Sequence, residues 1–161
     1  MRTLPKMLLL TGLLMASTAA ALAHEGETHR QGGWSFGRPG LAKDVTRTVR
    51  IEADEYSFSP AALTVQVGET IKFVVVNNGK LMHELTIGDA AEQEAHQQSM
   101  SKMSDMKHDE GTHQMPANSV HIPPGQTRDL TWSFSSGGKL IIACNYPGHS
   151  MLGMVGSLEV K

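Results

Sequence analysis

The sequence predicts an all-β protein: a Greek-key antiparallel β-sandwich interrupted by one His/Met-rich insertion with helical spacing. Three observations carry that prediction. Short runs rich in Val, Ile, Phe and Thr, several with alternating apolar and polar residues, recur from Thr46 to the end of the chain. Gly, Pro and Asn punctuate them, as at Asn77-Asn78-Gly79, Pro123-Pro124-Gly125 and Gly137-Gly138. Outside the insertion no segment has the apolar period of a helix. Roughly 115 residues are enough to bury a core without disulfides.

The first segment, residues 1–23, is expected to be a secretory signal peptide. It has a short basic start with Arg2 and Lys6, the apolar core LLLTGLLMASTAA and the small-residue ending Ala21-Leu22-Ala23. That core is too short to span a bilayer and no other segment is longer, so the mature chain is expected to be exported to the periplasm and not membrane-spanning. Residues 24–44 are rich in Gly and polar residues without periodicity and are expected to form a flexible N-terminal arm, with Trp34 and Phe36 available to dock. The signal carries two of the 14 basic residues and none of the 16 acidic ones, which leaves the mature chain at a net charge of −4. A chain with no basic excess has no electrostatic footprint for nucleic acid.

The sandwich domain is expected over residues 45–161. TRTVRIEAD alternates as a half-buried strand does, and YSFSPAALTVQVGETIKFVVVNN holds two more runs broken at Gly68 and Glu69. HELTIGD, SVHIPP, TRDLTWSF, GKLIIAC and MVGSLEV complete the set. Between HELTIGD and SVHIPP lies the insertion, residues 89–118, too polar to be core and longer than most ordered connections in a compact domain. Met100, Met103 and Met106 recur at a spacing of three, which in a helix lines three thioethers along one face. Such a stripe can simply pack over the sandwich.

The chemistry concentrates in CNYPGHSMLGM, residues 144–154. It contains the only cysteine, a histidine five positions on and a methionine five beyond that. A thiolate, imidazoles and a weak axial thioether suit copper cycling between Cu(I) and Cu(II), because a geometry between the preferences of the two states keeps reorganisation small. Cys144, His149 and Met154 supply three such ligands, and a second imidazole has to come from elsewhere. His83, at the opening of HELTIG, is the best placed; His121, in HIPPG, is the rival. Met151 is too close to His149 to swing back over a metal and belongs on an exposed rim. An exported chain with an odd cysteine has no internal disulfide, and ligation would occupy the thiol. The thioethers of Met100, Met103 and Met106, with His96, His108, His113 and Met115 nearby, make a second, weaker Cu(I) site conceivable, since thioethers select Cu(I). If cleavage leaves His24 first, its amine and imidazole form a chelating pair for Cu(II) close to His29.

These residues resemble the cupredoxins, the small blue-copper proteins that include plastocyanin and azurin, over roughly residues 45–161. The resemblance implies one type 1 copper per chain, with Cys144 as thiolate, His83 and His149 as equatorial imidazoles and Met154 as the long axial ligand. Cupredoxins commonly carry asparagine directly after the upstream histidine, where it braces the copper loop; here the residue is Glu84. The insertion is similar to sequences of periplasmic cupredoxins of copper tolerance. Multicopper oxidases have a similar loop but place histidines on both sides of the cysteine and use paired His-X-His ligands. Cys144 is flanked by Ala143 and Asn145, and no His-X-His occurs. A cysteine nucleophile with His149 as base would leave Met154 and the sandwich pattern unexplained.

The function expected is that of a periplasmic one-electron carrier rather than an enzyme, meeting a redox or copper-exchange protein near His149. The alternative is a copper-tolerance protein that buffers, oxidises or delivers copper.

Overall fold

The computed structural model describes residues 33–105 and 115–161, without the side chains of 103–105. The expected signal peptide, His24 and His29, and Met106, His108 and His113 of the insertion lie outside the described residues. Two five-stranded sheets pack face to face. The first contains β1 (Gly37–Pro39), β8 (Thr127–Phe134), β5 (Thr70–Asn77), β2 (Arg47–Asp54) and β3 (Ser57–Ser59), in that order. The second contains β4 (Ala62–Val65), β10 (Val155–Val160), β9 (Gly138–Ala143), β6 (His83–Gly88) and β7 (Ser119–Ile122). The α-helix α1 (Ala90–Asp105) leads from β6 towards β7.

Alternation builds the core. Along β5 the residues Ile71, Phe73 and Val75 are fully buried while Lys72, Val74 and Val76 are half-buried on the outer face. Ile51, Leu85, Ile87, Trp132, Ile142 and Leu158 meet them from the neighbouring strands. The sandwich is as expected, but two of its pairings are parallel, β2 with β5 and β4 with β10. After the β2–β3 hairpin the chain crosses to the second sheet as β4 and returns to lie beside β2 as β5. A connection that passes through the opposite sheet brings the strand back in the same direction, which a tight hairpin cannot do.

The arm expected over residues 24–44 is, from residue 33 onward, part of the sandwich. β1 pairs with β8 through Gly37↔Phe134 and Pro39↔Trp132. Phe36 is buried, and Trp34 meets Trp132 edge-on with ring centroids 5.0 Å apart. Two aromatic rings gain more by covering Trp132 than three residues lose in chain entropy when fixed as an edge strand.

All six residues of β6 are buried, where HELTIG reads as a strand with one wet face. Leu85 and Ile87 point into the sandwich. Glu84 and Thr86 point outward, and α1 lies over them. The helix starts with a reciprocal cap: Glu92 N donates to Asp89 Oδ1 at 2.9 Å and Asp89 N to Glu92 Oε2 at 3.1 Å. The face it lays on the sheet is Gln93, His96, Gln97 and Met100, at the i, i+3, i+4, i+7 spacing of a single stripe. Met100 is buried there.

Candidate metal centre

His83, Cys144 and His149 meet at one end of the sandwich with one donor atom from each within 4.8 Å of the others. Their placement follows from local structure. His83 opens β6 on the same face as Leu85, so its ring enters the core end, fully buried. Cys144 follows β9 directly, also fully buried, and its backbone N donates to Met154 O at 3.1 Å, which pins the two ends of the loop together.

Between those ends the loop closes as one capped helical turn. Met154 N donates to His149 O at 3.0 Å and Gly153 N donates to Ser150 O at 3.1 Å. Gly153 has φ +105°, in the left-handed region. These are the paired closing bonds of a Schellman cap with glycine at its turning position. The five-residue step from His149 to Met154 is therefore the step of the cap itself. Met154 ends it fully buried, while Met151 stands on the rim with 83% of its surface exposed.

The donor spacing fits a small cation. His83 Nδ1 lies 3.2 Å from His149 Nδ1, and Cys144 Sγ lies 3.4 Å from His149 Nδ1. Nitrogens about 2.0–2.1 Å from a common ion, at angles near tetrahedral, would stand roughly 3.3 Å apart. Burial, reinforced by repulsion from His149, lowers the pKa of His83, and burial lowers that of His149, so both rings favour the neutral form that ligates. Burial pushes the Cys144 thiol up to about 11, against the hydrogen bond from Glu84 N at 3.4 Å that favours thiolate. In these surroundings the sulfur ionises only against a nearby cation, so loading releases a proton. Tyr56 meets the His149 ring edge-on at 5.2 Å and Tyr146 lies tilted at 5.9 Å, holding the half-buried imidazole between two rings.

His121 is not in this cluster. It is the cross-strand partner of Glu84, with Nε2 3.3 Å from Glu84 Oε2, at ion-pair distance but without hydrogen-bond alignment. Glu84 itself has no surface exposure, and Oε1 accepts from Asn145 N at 3.1 Å and Thr86 Oγ1 at 3.0 Å. His96 Nε2 lies 3.0 Å from the same oxygen. Burial alone would raise this carboxyl, but the contacts with His121 and His96, aided by Thr86, outweigh it and hold the pKa down at about 2. Gln93 and the two tyrosines escape a sequence reading that follows ligand types, which reaches His96 only as a neighbour of the methionines. The one available signal is a carboxylate in the position that braces the loop.

Comparison with known proteins matches residues 45–161 to the model of the copper-binding proteins of the plastocyanin/azurin family. The chain is 35% identical to a copper-resistant cuproprotein CopI of Pseudomonas aeruginosa, across 99% of this chain and 97% of the relative. It is 36% identical to a copper-resistant cuproprotein CopI of Rubrivivax gelatinosus, covering 99% and 98% of the two chains. The fold is similar to reduced auracyanin from Roseiflexus castenholzii, with a TM-score of 0.58 and 20% identity over 73% of this chain and 98% of that one.

Proposed function

The chain belongs to the plastocyanin/azurin family of copper-binding proteins, and from that premise we propose that it is an exported copper-tolerance protein built on one type 1 copper ion. Cys144 is the thiolate ligand, His83 and His149 are the equatorial imidazoles, and Met154 is the weak axial thioether. The observation that carries this ligand set is the convergence of two imidazole nitrogens and one sulfur within 4.8 Å, beside a loop whose last residue, Met154, is fully buried. Copper bound there supplies one-electron cycling between Cu(I) and Cu(II). The protein's part is to hold two neutral imidazoles and a dry thiol in fixed positions, so that little rearranges when the charge of the metal changes. The copper-resistance names of the relatives favour copper tolerance as the setting.

A carrier role, with electrons passed to and from another protein, is the second reading, and a specific observation favours it. Beside His149 the rim exposes Met151 and Leu152, at 83% and 62% of their surface, with Leu81 and Met82 also exposed just before His83. A small apolar rim around a ligand edge suits weak, short-lived docking. No helix among the described residues is long and apolar enough to cross a membrane.

The test is genetic and direct. A host strain lacking this gene should grow poorly at elevated copper, recover with the wild-type gene and fail to recover with Cys144→Ser expressed at the same level. Full recovery with Cys144→Ser would remove the type 1 site from the tolerance function. Undiminished tolerance in the deletion strain would leave the carrier reading.

A further inference from the structure

The insertion helix touches the ligand loop at two points, each next to a ligand. Beside Cys144, Asn145 donates its backbone N–H to Glu84 Oε1 and its side-chain Nδ2 to Gln93 Oε1 at 2.9 Å. Gln93 is fastened in turn, its Nε2 donating to Thr86 O at 2.9 Å and Ile141 O at 3.0 Å on β6 and β9. Beside His149, Ser150 Oγ accepts from Gln97 Nε2 at 2.8 Å. Between these contacts His96 reaches Glu84, the carboxylate that carries the Asn145 amide.

From this arrangement we propose that α1 is a clamp for the metal centre: Gln93 and Gln97 hold the residues following Cys144 and His149, and Glu84 with His96 locks the Cys144 side of the loop to β6. These four are positioning residues, not ligands. The clamp rests on the ligand set proposed above only for its consequence at the metal; its hold on residues 145–150 exists with or without that assignment.

Chemistry explains why polar residues form this helix face. Glu84 and Asn145 present a carboxylate and an amide on the outside of the sheet, and an apolar stripe over them would leave Asn145 Nδ2 without its acceptor and Glu84 without its His96 contact. Gln93 and His96 satisfy these groups and fix geometry at the same time. Rigid surroundings are what a site that changes charge without moving requires.

The experiment has one readout without metal and one with it. In the metal-free protein, Gln97→Ala and Ser150→Ala should each speed amide hydrogen exchange across residues 145–153 by roughly five- to tenfold, the worth of one hydrogen bond, and the double variant should add little to either. In the copper-loaded protein, Gln93→Leu with Gln97→Leu should keep one copper per chain while shifting the thiolate charge-transfer band and the reduction potential. His96→Gln, which retains a donor, should shift both less than His96→Leu does. If Gln93→Leu impairs folding, the Gln97–Ser150 cycle alone decides. Unchanged exchange in both single variants, or strict additivity between them, overturns the clamp. A second copper equivalent bound by wild type and lost in His96→Gln also overturns it, because the cluster would then be a metal site. Faster loop exchange in a protein that never develops a thiolate–copper band would uphold the clamp and sink the ligand set.

Discussion

Replacing Glu84 by Gln in the metal-free protein tests whether the buried carboxylate is held as an anion. Its pKa is depressed in the fold from the ordinary 4.5 to about 2. A depressed carboxyl contributes stability that is fully present above its unfolded value and is lost as pH falls through 4.5 towards 2. At 1.36 kcal/mol for each tenfold change in proton affinity, the whole contribution is on the order of 3 kcal/mol at neutral pH. Between pH 6.5 and 3.5 on the order of 1 kcal/mol of it should disappear. Glu52, Glu55 and Glu69 are also held below the ordinary range, chiefly by hydrogen bonds from Asn78, the Lys80 backbone and Arg47, but they are common to both proteins. Their effect cancels in the difference. Urea unfolding of wild type and Glu84→Gln at the two pH values should therefore show wild type losing more than the variant over that interval, by on the order of 1 kcal/mol. Equal losses would mean that Glu84 folds without its charge, and the account of His96 and His121 as its partners would fail.

Three further outcomes follow from the ligand geometry. His83→Ala should lose the coloured copper site and regain it with added imidazole, whereas His121→Ala should keep its colour; the reverse pattern, read by visible absorption, would make His121 the ligand. Met154→Leu should stay coloured with a higher reduction potential by voltammetry, because a thioether-free apolar site favours Cu(I); an unmoved potential would place the axial ligand elsewhere. Replacing Met100, Met103 and Met106 together by Leu, which conserves apolar volume, should leave the coloured site intact. Loss of an extra Cu(I) equivalent in that variant, measured under reducing conditions, would assign the thioethers to copper rather than packing.

Much of this is legible in the sequence. The strands alternate, the turns carry Gly, Pro and Asn, and CNYPGHSMLGM gathers three donor types that serve few other purposes together. The Schellman cap that sets the His149-to-Met154 step is also local, written in Gly153. What sequence reasoning missed depends on distant residues. The parallel pairings depend on a crossing between sheets that no periodicity records. β1 exists because Trp132, nearly a hundred residues away, offers a surface for Trp34 and Phe36. The contact face of α1 is Gln93, His96, Gln97 and Met100, and it carries no apolar stripe because it covers Glu84 and Asn145 rather than core. The methionine spacing drew attention to residues 100–106, while the turns that hold the ligand loop lie just before them. Glu84 could be marked as a departure from asparagine, but its partners His96, His121 and Asn145 come from three separate segments.

The central claim is that His83, Cys144, His149 and Met154 hold one type 1 copper. Visible absorption and electron paramagnetic resonance of the Cu(II)-loaded wild type, beside Cys144→Ser, test it most directly. The account predicts one copper per chain, an intense thiolate-to-copper band and narrow copper hyperfine splitting in wild type, all lost in Cys144→Ser. A colourless wild type with an ordinary Cu(II) signal, or a band that survives Cys144→Ser, would contradict it.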